Sequence, residues 1–96
     1  MTLVRIVRMT FLLEKVPVFL EIFDNSKLSI RNFEGCQHLE LLQDANNPAI
    51  FMTYSHWKDA SMLENYRKSE LFRTTWAKTK ILFADKPLAF SSTKVL

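Results

Sequence analysis

The fold of this chain is decided within residues 35–72, which read GCQHLELLQDANNPAIFMTYSHWKDASMLENYRKSELF. An apolar run follows Gly35, and the turn-forming residues 45–48, Ala-Asn-Asn-Pro, separate it from a second run. This pattern predicts a β-hairpin with arms at residues 36–44 and 49–57. Glycine just before the first arm permits a backbone geometry that a β-carbon would penalise.

Large side chains occupy both faces of the second arm. Because successive residues of a strand point to opposite faces, the arm divides into two sets: Ile50, Met52, Tyr54 and His56, and Phe51, Thr53, Ser55 and Trp57. An antiparallel sheet with one face in water usually alternates apolar and polar residues more cleanly. We therefore expect helices on one face of the sheet and the sheet of a second subunit on the other.

Working outward from the hairpin, the sequence predicts four further elements: a strand at residues 2–11, a helix at 14–31, a helix at 59–85 with a kink or restart near Ser69, and a last strand at 88–96. Pro17 suits the first turn of the first helix, Asp59 suits the N-cap of the second, and Pro87 ends it. The order strand, helix, strand, strand, helix, strand is the ferredoxin-like arrangement of an α+β protein with an antiparallel sheet.

Length and composition predict one small domain over residues 1–96. A chain of 96 residues with 48% hydrophobic residues is too short for two independent cores. Eight Phe, two Trp and two Tyr are many for so small an interior, which favours a homodimer that covers further apolar surface. The net charge of +3 is spread along the chain without a basic run, so nucleic acid is not an expected partner.

The remaining composition indicates a cytoplasmic protein without a membrane segment. Arg5 and Arg8 interrupt the apolar N-terminal stretch, and no window reaches the roughly 18 uninterrupted apolar residues of a membrane span. Cys36 is the only cysteine and is expected to be a buried, inert thiol, which fits a reducing compartment. Gly35 is the only glycine, which excludes glycine-rich nucleotide-binding loops.

The hairpin and the helix after it resemble the antibiotic biosynthesis monooxygenase family. The resemblance lies in these positions: Gly35-Cys36, Asn47-Pro48, Trp57, Asp59, Leu63-Glu64, Ser69 and Phe72. It implies a dimeric α+β barrel in which the sheets of two subunits face each other, often with the C-terminal strand reaching across. It also implies a pocket in each subunit between the helices and the sheet.

The chain departs from the family at positions that carry histidine in many relatives. The residues found there are Tyr66 and Leu71. Relatives that degrade haem use an Asn, a Trp and an iron-ligating His, and the matching positions are near Val7, Tyr66 and Trp76. An indole nitrogen is only a hydrogen-bond donor and cannot ligate iron, so haem degradation is disfavoured.

The other chemistry that the resemblance implies is cofactor-independent oxidation of quinol-like aromatic substrates, in which the ionised substrate passes an electron to dioxygen. Such a site needs no cofactor or metal, only an aromatic pocket and groups that stabilise the anion. The candidate residues are Trp57, Phe72, Trp76 and Phe23 for substrate binding, and Tyr66 and Arg73 for catalysis.

An ordinary structural role is the alternative interpretation for each of these residues. Aromatic residues at helical or strand spacing usually pack in the core. Tyr66, with a reference pKa of about 10, is a poor base, and an arginine such as Arg73 more often lies in solvent. The corresponding alternative function is a non-catalytic dimeric protein that binds a small molecule or acts as an accessory subunit.

Two histidines form a possible polar pair across the hairpin. If the turn centres on Asn46 and Asn47, partner positions sum to 93 or 94, and His38 and His56 meet that condition. Glu40, on the same strand face, is a candidate third ligand for a metal. No spacing motif supports a metal, so structural hydrogen bonding is the preferred interpretation.

Overall fold

The computed structural model describes residues 2–96 and contains a four-stranded sheet with helices on one face. Its elements are β1 (Leu3–Thr10), α1 (Val16–Arg31), β2 (Cys36–Gln43), β3 (Ile50–Trp57), α2 (Ala60–Arg67), α3 (Glu70–Lys80) and β4 (Leu88–Thr93), with a 3-10 turn, Leu13–Lys15, before α1. The strand order is β2-β3-β1-β4, and every neighbouring pair is antiparallel. These features confirm the predicted ferredoxin-like α+β fold. No helix in this part of the chain is long and apolar enough to cross a membrane.

The inward face of the sheet, on which the helices pack, carries the core. Alternation along β1 and β3 places apolar side chains on this face, where they meet Phe19 of α1 and Leu63 of α2. One core cluster comprises Met9, Phe11, Phe19, Phe51 and Leu82, and a second comprises Cys36, Trp57 and Leu63. The second cluster includes the single cysteine, which is buried as predicted.

The opposite side of the sheet, here called the open face, has no helix from residues 2–96 packed on it. Strand register aligns its side chains in three rows: His38, His56, Val4 and Ser92; Glu40, Tyr54, Ile6 and Phe90; and Leu42, Met52, Arg8 and Leu88. Leu88 and Phe90 remain 57% and 43% exposed. A sheet face that exposes several large apolar side chains among its polar ones is unusual for a surface in water.

Local backbone geometry explains why position 35 is glycine. Gly35 has a φ of 87°, in a region that residues other than glycine rarely adopt. An added β-carbon would lie 2.4 Å from Cβ of Met62. Close by, the carboxylate of Asp59 accepts a hydrogen bond of 3.0 Å from the backbone nitrogen of Met62. This contact confirms Asp59 as the N-cap of α2.

The predicted helix over residues 59–85 restarts near Ser69, which confirms that part of the prediction, but its predicted end at residue 85 is wrong. Ser69 interrupts it by serving as the N-cap of α3, and its Oγ accepts a hydrogen bond from the nitrogen of Phe72 at 3.1 Å. Helix α3 then ends at Lys80, because the following turn brings Leu82 into the core and pairs Phe83 with Phe11 in an isolated β-bridge. Tertiary packing therefore ends α3 before the chain reaches Pro87, the residue that the sequence predicted would end it.

The C-terminal segment is shorter as a strand than predicted. Strand β4 ends at Thr93, so residues 94–96 lie outside it. It pairs with β1 of its own chain, with Phe90 opposite Ile6. The C-terminal strand therefore completes the edge of its own sheet.

Candidate functional site

A small apolar cavity lies between the inward face of the sheet and helices α1 and α3. It has a volume of about 90 Å³ and is lined by Val7, Met9, Phe19, Phe23, Ile30, Leu39, Thr53, Tyr66, Phe72, Thr75, Trp76 and Thr79. The hydroxyl groups among its lining residues come from three threonines and one tyrosine. We call it the apolar cavity.

A second cavity adjoins the first and differs from it in charge. It has a volume of about 200 Å³ and is lined by Arg5, Val7, Leu63, Arg67, Phe72, Trp76, Pro87 and Ala89. Three of these residues, Val7, Phe72 and Trp76, also line the apolar cavity. We call it the arginine cavity, because Arg5 and Arg67 are the only charged side chains among its lining residues.

A row of aromatic rings runs along the helix side of both cavities. The ring of Tyr66 stacks on Trp57 with centroids 4.9 Å apart and meets Phe72 edge-on at 5.3 Å. Phe72 in turn stacks on Trp76 at 5.8 Å. The structure therefore brings together four of the predicted site residues, and of these Tyr66, Phe72 and Trp76 line the apolar cavity, as does the predicted residue Phe23.

Trp57 lines neither cavity, although the sequence predicted it as a substrate-binding residue. It is 1% exposed, and its indole nitrogen donates a hydrogen bond to Oγ of Ser55 at 3.0 Å. Its contact with the site is indirect, through the ring of Tyr66. The geometry thus gives Trp57 a supporting position behind the aromatic row.

Arg73 also lies away from both cavities. It is exposed, and its Nη1 donates a hydrogen bond to the backbone oxygen of Lys68 at 3.0 Å. The cations that line the site are Arg5 and Arg67, which the sequence analysis did not select. Strand periodicity was the available signal, because it places Arg5 on the same face as Val7 and Met9.

The environment of Tyr66 determines which protonation state the site offers. Burial raises the pKa of its phenol, and negative charge on the nearby Cys36 sulfur raises it further. The hydroxyl group therefore stays protonated at neutral pH. A protonated Tyr66 can donate a hydrogen bond to a ligand oxygen, and its raised pKa disfavours a role as a general base.

Alkaline conditions are expected to destabilise the protein partly through Tyr66. In the unfolded chain tyrosine ionises near pH 10, whereas in the folded chain its raised pKa keeps Tyr66 protonated. The stability from this group is complete below about pH 10 and is lost as the pH rises above it. Urea unfolding at pH values of about 8 and about 10.5 measures the loss, which should be smaller in Tyr66→Phe. Equal losses in the two proteins would contradict this assignment.

The two histidines lie outside these cavities, on the open face. His38 and His56 are register partners with ring centroids 5.1 Å apart, and Nε2 of His38 lies 3.3 Å from Oε1 of Glu40. Nε2 of His56 is buried without a hydrogen-bond partner among residues 2–96. Over the same residues, no three His, Cys, Asp or Glu side chains converge into a possible metal site.

The lining residues define what the two cavities can do chemically. They include no His, Asp or Glu, so neither cavity presents a conventional general base or a histidine for haem iron. They do present aromatic walls, hydroxyl donors and two guanidinium groups. This combination suits a small, flat molecule that carries oxygen atoms able to accept hydrogen bonds.

Solved structures share this fold at low sequence identity. A conserved protein from Methanosarcina mazei Go1 superimposes with a TM-score of 0.93 at 19% identity, covering 98% of this chain and 93% of that one. An antibiotic biosynthesis monooxygenase superimposes with a TM-score of 0.91 at 17% identity, covering 98% and 99%. A protein from Mycobacterium tuberculosis superimposes with a TM-score of 0.90 at 14% identity, covering 99% and 96%.

The sequence itself matches a family described as antibiotic biosynthesis monooxygenase over residues 2–78. None of the curated proteins matches the chain. The matched region contains both arms of the hairpin, the aromatic row and most of the lining of the two cavities. Because the match extends over most of its 96 residues, the chain belongs to the antibiotic biosynthesis monooxygenase family.

Proposed function

We propose that the protein is a homodimeric, cofactor-independent monooxygenase that acts on a small, hydrophobic, quinol-like aromatic substrate. The observation that carries this proposal is the apolar cavity, where Phe23, Tyr66, Phe72 and Trp76 provide aromatic walls. Flat aromatic molecules stack favourably on such walls. The cavity adjoins two cations, which suits a substrate that reacts as an anion.

The proposed reaction draws its electrons from the substrate. The ionised substrate transfers one electron to dioxygen, and the two radicals combine to form a carbon–oxygen bond at the reacting CH₂ carbon. Cleavage of the oxygen–oxygen bond then leaves one oxygen atom as a new carbonyl group, while the other leaves as water with the two hydrogen atoms of the CH₂ group. Tyr66 is proposed to donate a hydrogen bond to a carbonyl or hydroxyl oxygen of the substrate in the apolar cavity.

The open face supports the proposed homodimer. It presents Ile6, Tyr54, Leu88 and Phe90 on adjacent strands without a covering helix from residues 2–96. Contiguous apolar surface on a small protein usually marks an interface. Two copies that bring these faces together would form an α+β barrel with one pair of cavities in each protomer.

A second candidate function is binding without turnover, in an accessory or carrier role. The observation that favours it is the lining of the cavities, which includes no His, Asp or Glu. Tyr66 does not supply the missing base, because its pKa is raised by burial. The same absence of a lining histidine argues against haem degradation.

Oxygen consumption with anthrone tests the catalytic proposal. The wild-type protein should consume oxygen faster than buffer and yield the ketone at the CH₂ carbon, with one labelled oxygen atom when labelled dioxygen is used. Trp76→Ala removes a wall shared by both cavities and should lower kcat/KM about tenfold, since aromatic contacts and buried area are lost. Leu28→Ala, an exposed position on α1, is the matched control and should leave the rate unchanged.

A different result would favour the second candidate function, binding without turnover. Oxygen uptake would not exceed that of buffer, while a quinone would still quench tryptophan fluorescence and would lose affinity in Trp76→Ala. If no quinone or anthrone bound at all, both candidate functions would be wrong.

A further inference from the structure

We propose that the substrate carries an ionised hydroxyl group on its aromatic ring and that Arg5 and Arg67 bind this oxyanion in the arginine cavity. This inference rests on the proposed function and specifies the charge of its substrate. The residues that carry it are a pair of cations whose charge the surrounding chain compensates only in part.

Arg5 lacks a close carboxylate partner. Its side chain is half-buried on the inward face of β1, and its Nη1 donates a hydrogen bond to Oγ of Ser91 at 3.1 Å. No carboxylate oxygen of residues 2–96 lies within 4 Å of its guanidinium group. A half-buried cation without a close carboxylate is less well solvated than one in water, which favours a bound anion as a partner.

A second cation lies beside the first. Burial and then the charge of Arg67 lower the pKa of Arg5, and Glu64 opposes them. Glu64 is itself shared between Arg67, at 3.4 Å, and Lys68, at 3.9 Å. One carboxylate therefore faces three cationic side chains in this region, and an oxyanion between Arg5 and Arg67 would relieve the remaining repulsion.

The geometry of the two cavities fixes where the charge of the substrate lies relative to its rings. Phe72 and Trp76 line both cavities, so a flat molecule stacked on them extends from the apolar cavity into the arginine cavity. The larger cavity measures about 200 Å³, below the roughly 300 Å³ at which pockets for drug-sized ligands begin. A flat ligand of up to three fused rings that spans both cavities, with an oxyanion at one edge, matches this arrangement.

The cation pair also replaces the base that the cavities lack. An opposite charge nearby favours the ionised form of an acid and lowers its pKa. Bound beside Arg5 and Arg67, a ring hydroxyl group would ionise more readily than in water and lose its proton to solvent. Planar guanidinium groups suit this role because they offer several directed donors and keep their charge.

Calorimetric titration with two naphthoquinones of similar size separates charge recognition from binding of the rings. Menadione is neutral, whereas the hydroxyl group of lawsone is ionised at neutral pH. The wild-type protein should bind lawsone about tenfold or more tightly than menadione, because hydrogen bonds to a charged group are the stronger ones. Added salt should weaken the binding of lawsone and leave that of menadione unchanged.

Variants then assign this preference to the two arginines. Arg5→Gln should reduce the preference for lawsone to within about threefold, with the affinity for menadione retained, and Arg5→Lys should restore part of it. Lys78→Gln removes one exposed charge from α3 and should preserve the preference. Circular dichroism checks that each variant is folded, and Arg5→Lys serves as the test if Arg5→Gln does not fold.

The outcomes separate this inference from the proposed function. Equal binding of the two quinones to the wild-type protein, or a preference that survives in the double variant Arg5→Gln and Arg67→Gln, would overturn the anion site while leaving a quinone-binding protein. Failure of both quinones to bind would overturn the proposed function and this inference with it.

Discussion

Replacing Trp57 with alanine is expected to lower the free energy of unfolding by about 3–5 kcal/mol. Trp57 is 1% exposed, packs with Cys36 and Leu63 in the second core cluster and stacks on Tyr66 at 4.9 Å. Its removal leaves a cavity that surrounding side chains fill only in part. In a domain of this size, about 1 kcal/mol shifts Tm by roughly 4–8 °C, so Tm should fall by more than about ten degrees.

Two control variants distinguish loss of the ring from loss of its hydrogen bond. Trp57→Phe keeps an aromatic ring against Tyr66 but leaves Oγ of Ser55 without the indole donor. It should cost less than the alanine variant, about 1–3 kcal/mol. Trp76→Ala, at a half-buried position that lines both cavities, should also cost less than Trp57→Ala. Urea unfolding followed by circular dichroism measures all three.

These variants also decide between the two roles of Trp57. The sequence predicts Trp57 as a candidate substrate-binding residue, whereas the structure gives it a position behind Tyr66. If it supports the core alone, folded Trp57→Phe should bind menadione like the wild-type protein. A loss of less than about 1 kcal/mol in Trp57→Ala would contradict the core role, because fully buried tryptophans cost more than this.

The sequence predicts the hairpin and its surroundings well because local signals agree there. The turn at residues 45–48 sets the register, so His38 faces His56 as the sum of their positions requires. Gly35 and Asp59 mark element boundaries through backbone geometry and capping, which depend on neighbouring residues alone. These signals suffice to define the order of elements and hence the fold.

The candidate site is less predictable because it depends on how the helices lie across the sheet. Helical spacing places Arg73 near the aromatic row in sequence, but the crossing of α3 leaves Arg73 exposed. The placement of α2, whose last residue is Arg67, brings Arg67 towards Arg5, and these two residues are 62 positions apart in the chain. The end of α3 at Lys80 likewise depends on contacts with Phe11, which no local pattern encodes.

Introducing a negative charge on the open face should have the second large effect. Phe90→Asp should convert the proposed homodimer into monomers at micromolar concentration. In the single protomer Phe90 is 43% exposed and lies opposite Ile6 on β1, so the fold itself tolerates a carboxylate there. In a dimer that buries this face, two-fold symmetry would bury two unpaired carboxylates, each costing several kcal/mol.

Sedimentation velocity measures this change, with circular dichroism to check the fold of the protomer. Leu13→Asp introduces the same charge at a position that is 60% exposed outside the sheet, and it should remain dimeric. A wild-type protein that sediments as a monomer would contradict the proposed dimer. A Phe90→Asp protein that stays dimeric would instead show that a different surface forms the interface.

Phe90→Asp should also weaken ligand binding in the arginine cavity, because β4 borders both this cavity and the open face. Ala89 and Phe90 are neighbours on β4, and their side chains point to opposite faces, so Ala89 lines the arginine cavity while Phe90 lies on the open face. Every residue of β4 is exposed in the single protomer, and β1 is its only strand partner. Covering the open face with a second copy would hold this edge strand against β1 and keep Ser91 next to Arg5. Monomeric Phe90→Asp should therefore bind lawsone less tightly than the dimer does, whereas Leu13→Asp should bind it equally well.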